Sequence, residues 1–187
     1  MAGKLDGKRI AILATNGVEQ VELTEPRDAV TAEGARTEIV SLEAGTFRAM
    51  NHDTEPADTF TADTTAADAT ASDYDALIMP GGTVNADKLR IDPDVQRFVR
   101  EVVEAGTPVG VICHGPWTLI DAGVAKGRTL TSYPSVWTDL RNAGADVVDE
   151  EVVTDNGIVS SRNPDDLPAF CAKIVEEFAE GRHSGRT

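Results

Sequence analysis

Apolar positions fall along this chain in short continuous runs that alternate with longer one-sided stretches. Lys8 to Thr15, KRIAILAT, is a short run with β-branched residues. It predicts a buried strand passing into a loop, NGVEQVELTEP. Thr24 or Glu25 is expected to cap a helix with Pro26 near its first turn, ending at Gly34. RTEIVSL, Arg36 to Leu42, reads as the second strand, and this βαβ opening implies a parallel sheet with helices on its faces. Residues 43–75 are polar and rich in Thr, Ala and Asp. A surface hairpin is expected around Phe47 and Phe60, then a loop or short helix.

Regular alternation then resumes. ALIMPGG predicts a strand ending in a Gly-Gly turn. DPDVQRFVREVVEAG predicts a helix capped by Asp92, with Val95, Phe98, Val99, Val102 and Val103 on its apolar face and Gly106 as the stop. TPVGVIC reads as a strand, HGPWTLIDAG as a helix from Pro116 to Gly123, GRTLTSY as a strand, and PSVWTDLRNAG as a helix from Pro134 to Gly144. In ADVVDEEVVTDNGIVSSR, Asp155-Asn156-Gly157 marks a hairpin turn. NPDDLPAFCAKIVEEFAEG closes the chain as a helix, with residues 182–187 expected to be a mobile tail. The sum is a single α/β domain over 1–187, a flavodoxin-like doubly wound sandwich with a mainly parallel central sheet. Ligands in such sheets bind beyond the carboxyl ends of the strands. That gathers three loops, NGVEQVE, PGGTVNAD and CHGPW, at one edge.

The chemistry concentrates there. Cys113 ends an apolar strand within a turn of the next helix, which is the geometry of a nucleophile elbow. Gly115 is expected to let the chain turn sharply and to permit close approach of that helix, and the helix N-terminus favours a thiolate. The alternative is a small buried hydrophobe. His114 is a neighbour at i, i+1, normally pointing away; it serves either as general base or through its backbone N–H as an oxyanion donor. Glu19 and Glu22 are spaced to share a face of a helical turn, and a buried carboxylate there could carry protons. Gly81 and Gly82 let backbone N–H groups line a pocket, with Gly82 opposite His114 as the second oxyanion donor. His52 and His183 read as exposed surface residues, and Cys171 as core packing beside Phe170 and Ile174. No metal-ligand spacing, G-x-G-x-x-G after the first strand, or G-K-[ST] is present, so no cofactor is expected.

Composition narrows the partners. Asp plus Glu total 32 against 17 Lys plus Arg, a net charge of −15. Nucleic acid is disfavoured by repulsion between like charges. No apolar run is long enough to span a bilayer and no secretory signal is seen, so the expected location is the cytoplasm. Aspartate outnumbers glutamate, and only 5 of the 17 basic residues are Lys. That balance favours a halophilic protein, whose carboxylate-rich surface is screened at molar salt.

The stretches ICHGP, MPGG, GRTLTSYP and SRNPDDLPAF, with the acidic loop after the first strand, resemble the PfpI family of intracellular cysteine hydrolases, within the class I glutamine amidotransferase-like superfamily. The resemblance runs from Ile10 to Phe178. It implies Cys113 as nucleophile, His114 as its partner, Glu22 as the acid contacting the thiol with Glu19 nearby, and Gly82 and His114 as backbone donors. Asp87 aligns with an acid that reaches the Cys-His pair from a neighbouring subunit in oligomeric members; the family commonly carries Glu there, in a loop one residue shorter. Trp117 and Tyr133 would line the pocket, with Arg162 behind. The implied activities are peptidase, glyoxalase III or deglycase, all begun by a thiolate attacking a small carbonyl or peptide substrate. The alternative is a redox-sensing or chaperone-like protein whose Cys113 is oxidised. Relatives form dimers and larger rings, up to hexamers, so self-association is implied.

Overall fold

The computed structural model describes residues 1–184. In chain order the elements are β1 (Arg9–Leu13), α1 (Gln20–Ala32), β2 (Arg36–Ser41), β3 (Thr46–Asn51), β4 (Glu55–Thr61), β5 (Thr64–Thr65), β6 (Ala76–Met79), α2 (Thr83–Arg90), α3 (Pro93–Glu104), β7 (Val109–Ile112), α4 (Pro116–Asp121), β8 (Thr129–Leu130), α5 (Trp137–Asn142), β9 (Asp146–Val147), β10 (Val153–Asp155), β11 (Ile158–Ser161) and α6 (Leu167–Glu180). Seven strands form the central sheet in the order β10-β11-β7-β6-β1-β2-β5. Every pairing in it is parallel except the β10–β11 hairpin.

The period-2 alternation of each central strand divides the core. Ala11, Leu13, Leu77, Met79, Val109 and Val111 face one side, with Phe98 and Val102 of α3, Leu119 of α4 and Leu140 of α5. Ile10, Ile12, Ile78 and Ile112 face the other, with Leu23 and Val30 of α1 and Phe170 and Ile174 of α6. Both faces are covered, so these strands read as continuous apolar runs rather than alternating ones. At Gly110 a Cβ would come within 2.6 Å of Ile174 Cγ2, so its absence lets α6 lie close on β7.

Several elements follow the sequence pattern closely. Asp92 caps α3 by accepting from the N–H groups of Asp94 and Val95. The five expected apolar residues of α3 are all buried, each contributing about 1.5–3 kcal/mol relative to exposure. Phe47 lies opposite Phe60 in the β3–β4 hairpin, their rings 6.0 Å apart. Asp155 pairs with Ile158 across Asn156-Gly157, which have φ of 47° and 87°, the left-handed pair a two-residue hairpin needs.

Others depart from it. Helix α1 begins at Gln20, not near Thr24, and Pro26 lies inside it. Its buried face is Glu22, Leu23, Pro26 and Val30; a carboxylate occupying a core position hides the helical period. The stretch TVNADKLR is α2, not loop, with Gly82 as its N-cap. GRTLTSY yields only a two-residue strand that pairs with β9 outside the central sheet. The tail is ordered further than expected: the His183 N–H donates to the Gly106 carbonyl at 2.8 Å. Residues 185–187 of that expected tail lie outside the described residues. Among the described residues no helix is long and apolar enough to cross a membrane.

Candidate active site

The loops after β1, β6 and β7 meet beyond the carboxyl ends of those strands. Cys113 follows β7 with φ of 63°, a left-handed conformation rare for a residue with a Cβ. Such a backbone costs of order 1–3 kcal/mol and persists only where its surroundings impose it. Here the Cys113 N–H donates to Ser161 and its carbonyl accepts from the Tyr133 N–H, at 3.1 and 2.9 Å. Gly115 itself is ordinary helical backbone, φ −50°. Its missing Cβ would press on the carbonyl oxygens of Met79 and Ile112, at 2.9 and 3.0 Å. The sharp turn therefore belongs to Cys113, and Gly115 supplies the close approach.

This turn closes the i, i+1 pair. His114 Nδ1 lies 3.1 Å from Cys113 Sγ. The imidazole is buried, stacked on Tyr133 at 4.7 Å and edge-on to Trp117 at 5.2 Å. Its Nε2 faces the hydroxyls of Thr83 at 3.4 Å and Ser135 at 3.3 Å. Thr83 gives its own hydroxyl proton to Asp53 Oδ2 at 2.8 Å, while Asp53 Oδ1 accepts from the Thr83 N–H. Thr83 Oγ1 is thus left to accept from Nε2–H. That places the ring proton on Nε2 and leaves Nδ1 open to the thiol. Burial lowers the His114 pKa, and the Asp53 charge opposes that fall.

Asp53 arrives from the tip of the β3–β4 hairpin. His52 and Asp53 are both left-handed, with φ of 53° and 62°. Both backbone N–H groups donate to the buried Glu19 carboxylate, at 2.7 and 3.0 Å. Two charge-assisted hydrogen bonds, worth about 1.5–3 kcal/mol each, offset the strain of the two residues. Further bonds from Gly17 N–H to Arg48 and from Met50 N–H to Val18 tie the hairpin to the loop after β1.

Beneath the sulfur lies Glu22, fully buried, with neither oxygen in a regular hydrogen bond. Burial pushes its pKa well up and the charge of Glu19 pushes it further; the Gly81 backbone and the Cys113 thiol pull the other way. Burial raises the Cys113 pKa too, followed by the charge of Glu22, against the backbone N–H groups of Gly82 and His114. The expected thiolate-favouring helix terminus is outweighed: α4 has only 6 residues and the thiol is buried. The two buried acids act as a pair. When Glu22 holds a proton, the charge that raises Cys113 disappears. Cys171 is only half-buried on α6, yet burial and Glu25 push it up to about 12.

Glu19, His52, Asp53, Gly82, Cys113, Tyr133 and Pro164 line a cavity of about 250 Å³. Gly82 has φ of 90°, and a Cβ there would overlap the Gly17 carbonyl, so glycine is needed to present this backbone to the cavity. Gly81 packs so closely that a Cβ would meet Cys113 Cβ and Glu22 Oε1, both at 2.7 Å. Cys113, His114, Glu22, Glu19, Gly81, Gly82 and Tyr133 are therefore together, as expected from sequence. Trp117 stands behind His114 with its N–H on Asp139, not at the cavity wall. Arg162 is not among the lining residues: it follows Ser161, whose carbonyl accepts from the Cys113 N–H, and its guanidinium is committed to Asp166 and Asp149, at 2.9 and 2.8 Å. Asp87 is exposed on α2 and, within one chain, Thr83 and Ser135 occupy the places beside His114 Nε2. His52 is exposed as expected but rims the cavity. Asp53, Thr83, Ser135 and Pro164 were not singled out by sequence.

The chain is similar to known proteins over most of its length. The model of the DJ-1/PfpI family matches residues 8–177. The chain is 41% identical over 173 residues to "Uncharacterized protein SSP0918" of Staphylococcus saprophyticus, covering 91% of this chain and 98% of that one. It is 42% identical over 163 residues to the Bacillus subtilis protein named "Putative cysteine protease YraA", covering 87% and 94%. Among solved structures, a two-domain Anabaena variabilis protein containing DJ-1/ThiJ/PfpI-like and ferritin-like domains superposes with a TM-score of 0.86 at 32% identity, over 95% of this chain and 49% of that one. Drosophila melanogaster DJ-1beta gives 0.82 at 29% identity, over 92% and 90%.

Proposed function

The chain belongs to the DJ-1/PfpI family, and from that premise we propose that it is a cysteine-dependent enzyme acting on small, uncharged carbonyl compounds, with 2-oxoaldehydes such as methylglyoxal as the substrate class. The observation that carries this reading is the Cys113 Sγ to His114 Nδ1 contact of 3.1 Å at the floor of a small cavity. A cavity of about 250 Å³ falls below the ~300–1,000 Å³ of drug-sized ligand pockets. A three-carbon substrate fits it; a peptide would have to lie largely outside. Glu19 and Asp53 in the wall, with no lysine or arginine among the described lining residues, disfavour a substrate carboxylate.

In the first step His114 Nδ1 takes the thiol proton while sulfur bonds to the aldehyde carbon. The developing oxyanion faces the backbone N–H groups of Gly82 and His114 and, on protonation, gives a hemithioacetal. Transfer of the C1 hydrogen to C2 as a proton yields a lactoyl thioester, with Glu22 and His114 the groups able to move that proton. Attack by one water then releases lactate and restores the thiol. A second reading, cleavage of short peptides, draws support from the name of the B. subtilis relative. Initial rates with methylglyoxal, a fluorogenic dipeptide and glyoxylate separate the readings. Methylglyoxal is expected to turn over fastest and glyoxylate hardly at all. Turnover of the peptide alone would favour the second reading, and oxidation of Cys113 without turnover would favour redox sensing.

A further inference from the structure

A second group of ligating side chains lies at the opposite edge of the sheet, where the loops before β7 and β11 meet the end of α6. We propose that Glu177, Glu180 and His183 form a binding site for a divalent cation of the zinc type. Their ligand atoms lie within 4.8 Å of one another. Glu177 is 5% exposed, an unusual place for a carboxylate without full pairing. Its Oε2 and His183 Nε2 are 3.1 Å apart, yet neither has a hydrogen-bond partner. The contact thus lacks the in-line geometry of an N–H···O bond. Two donors on one tetrahedral ion, each at about 2.0–2.2 Å, stand about 3.3–3.5 Å apart, so this pair is already near the required spacing.

The surroundings leave these two atoms available. Lys173 Nζ sits 3.0 Å from Glu176 and 3.5 Å from Oε1 of Glu177, the other carboxylate oxygen. The imidazole is held in place by the His183 N–H bond to Gly106 and by packing over Gly157, where a Cβ would lie 2.9 Å from Cδ2. Glu180 is exposed on the last turn of α6, and its side chain can rotate inward to complete the set. The carbonyl end of a 14-residue helix adds negative potential. One imidazole with two carboxylates suits Zn²⁺ better than Mg²⁺ or Ca²⁺, which take oxygen ligands. Bound there, the ion would staple the segment after α6 to the helix that carries two of its ligands.

The test is calorimetric titration of Zn²⁺ into the metal-stripped full-length Cys113→Ser protein, above about pH 7 where imidazole is ordinarily neutral. The serine removes the one thiol beside a histidine. One equivalent is expected to bind and to raise the melting temperature. His183→Ala and Glu180→Gln, both at non-core positions, are each expected to weaken binding about tenfold or more and to remove that rise. If His183 and Glu177 form only a direct ion pair, there will be no saturable binding, or binding that His183→Ala leaves unchanged. Either result overturns the proposal.

Discussion

His114 Nδ1 lies 3.1 Å from the sulfur of Cys113, its neighbour in the chain. Adjacent residues achieve this only because Cys113 is left-handed, and the ring stays turned inward because Nε2 meets Thr83 and Ser135. Thr83 passes the orientation on from Asp53. Thr83→Val and Asp53→Asn should therefore lower kcat/KM for methylglyoxal about 10–100-fold, by analogy with other groups that orient a histidine, and Thr83→Ser should restore most of it. The pH profile distinguishes this from a folding defect. Asp53 raises the His114 pKa, so Asp53→Asn should move the acid limb of kcat/KM to lower pH, and an unmoved limb would remove Asp53 from the relay.

Glu22 links the site to stability. Its folded pKa is raised above that of the unfolded chain, chiefly by burial. The folded state therefore binds this proton more tightly than the unfolded state. The associated stability is fully present below the unfolded pKa, about 4.3, and is lost as pH rises through the higher folded value. Glu22→Gln removes the penalty of ionising a buried carboxylate. Its melting temperature should match wild type near pH 4 and exceed it at pH 8, by about 2–4 °C per kcal/mol recovered. Thermal melts at the two pH values decide it; a gap that does not grow with pH would contradict the assignment.

Val84 on α2 and Ile91, which caps its C-terminal end, are exposed at 47% and 73%, on either side of Asp87 in sequence. The expectation of a homodimer or larger ring, with Asp87 near the interface, makes this helix the surface to test. Light scattering should give at least a dimer, and Val84→Asp with Ile91→Asp should shift it toward monomer. A wild-type monomer at molar salt would end the idea that a neighbour's Asp87 reaches His114.

The net charge of −15 gives a fourth expectation. Lowering NaCl from molar to dilute removes screening among carboxylates and should lower the melting temperature. An unchanged value across that range would leave an ordinary acidic protein in place of a halophilic one.

Much of the architecture was legible because burial on both faces writes continuous apolar runs at β1, β6 and β7, and because Asp92, Asn156-Gly157 and Pro116 punctuate the chain with specific local chemistry. The Cys113 elbow was legible for the same reason. What escaped lies where function overrides pattern. Glu22 occupies a core position of α1, so the helix start was placed several residues late. The sequence TVNADKLR offered only Ala86 and Leu89 as buried apolar residues, too few to announce α2. Asp53 and Thr83 could not be joined from sequence, since they lie 30 residues apart and meet only because a strained hairpin tip is tied to Glu19. The resemblance alone brought Trp117 and Arg162 to the site; Asp139 holds the Trp117 N–H behind His114, and Asp166 engages the Arg162 guanidinium.

The most direct test of Cys113 as the nucleophile is lactate formation from methylglyoxal by the wild type and by Cys113→Ser. The serine keeps the elbow and replaces only the sulfur. The expected result is a fall in kcat/KM of about 10³-fold or more, as for loss of a nucleophile in other enzymes, with the fold intact by circular dichroism. Equal rates for the two proteins would contradict it.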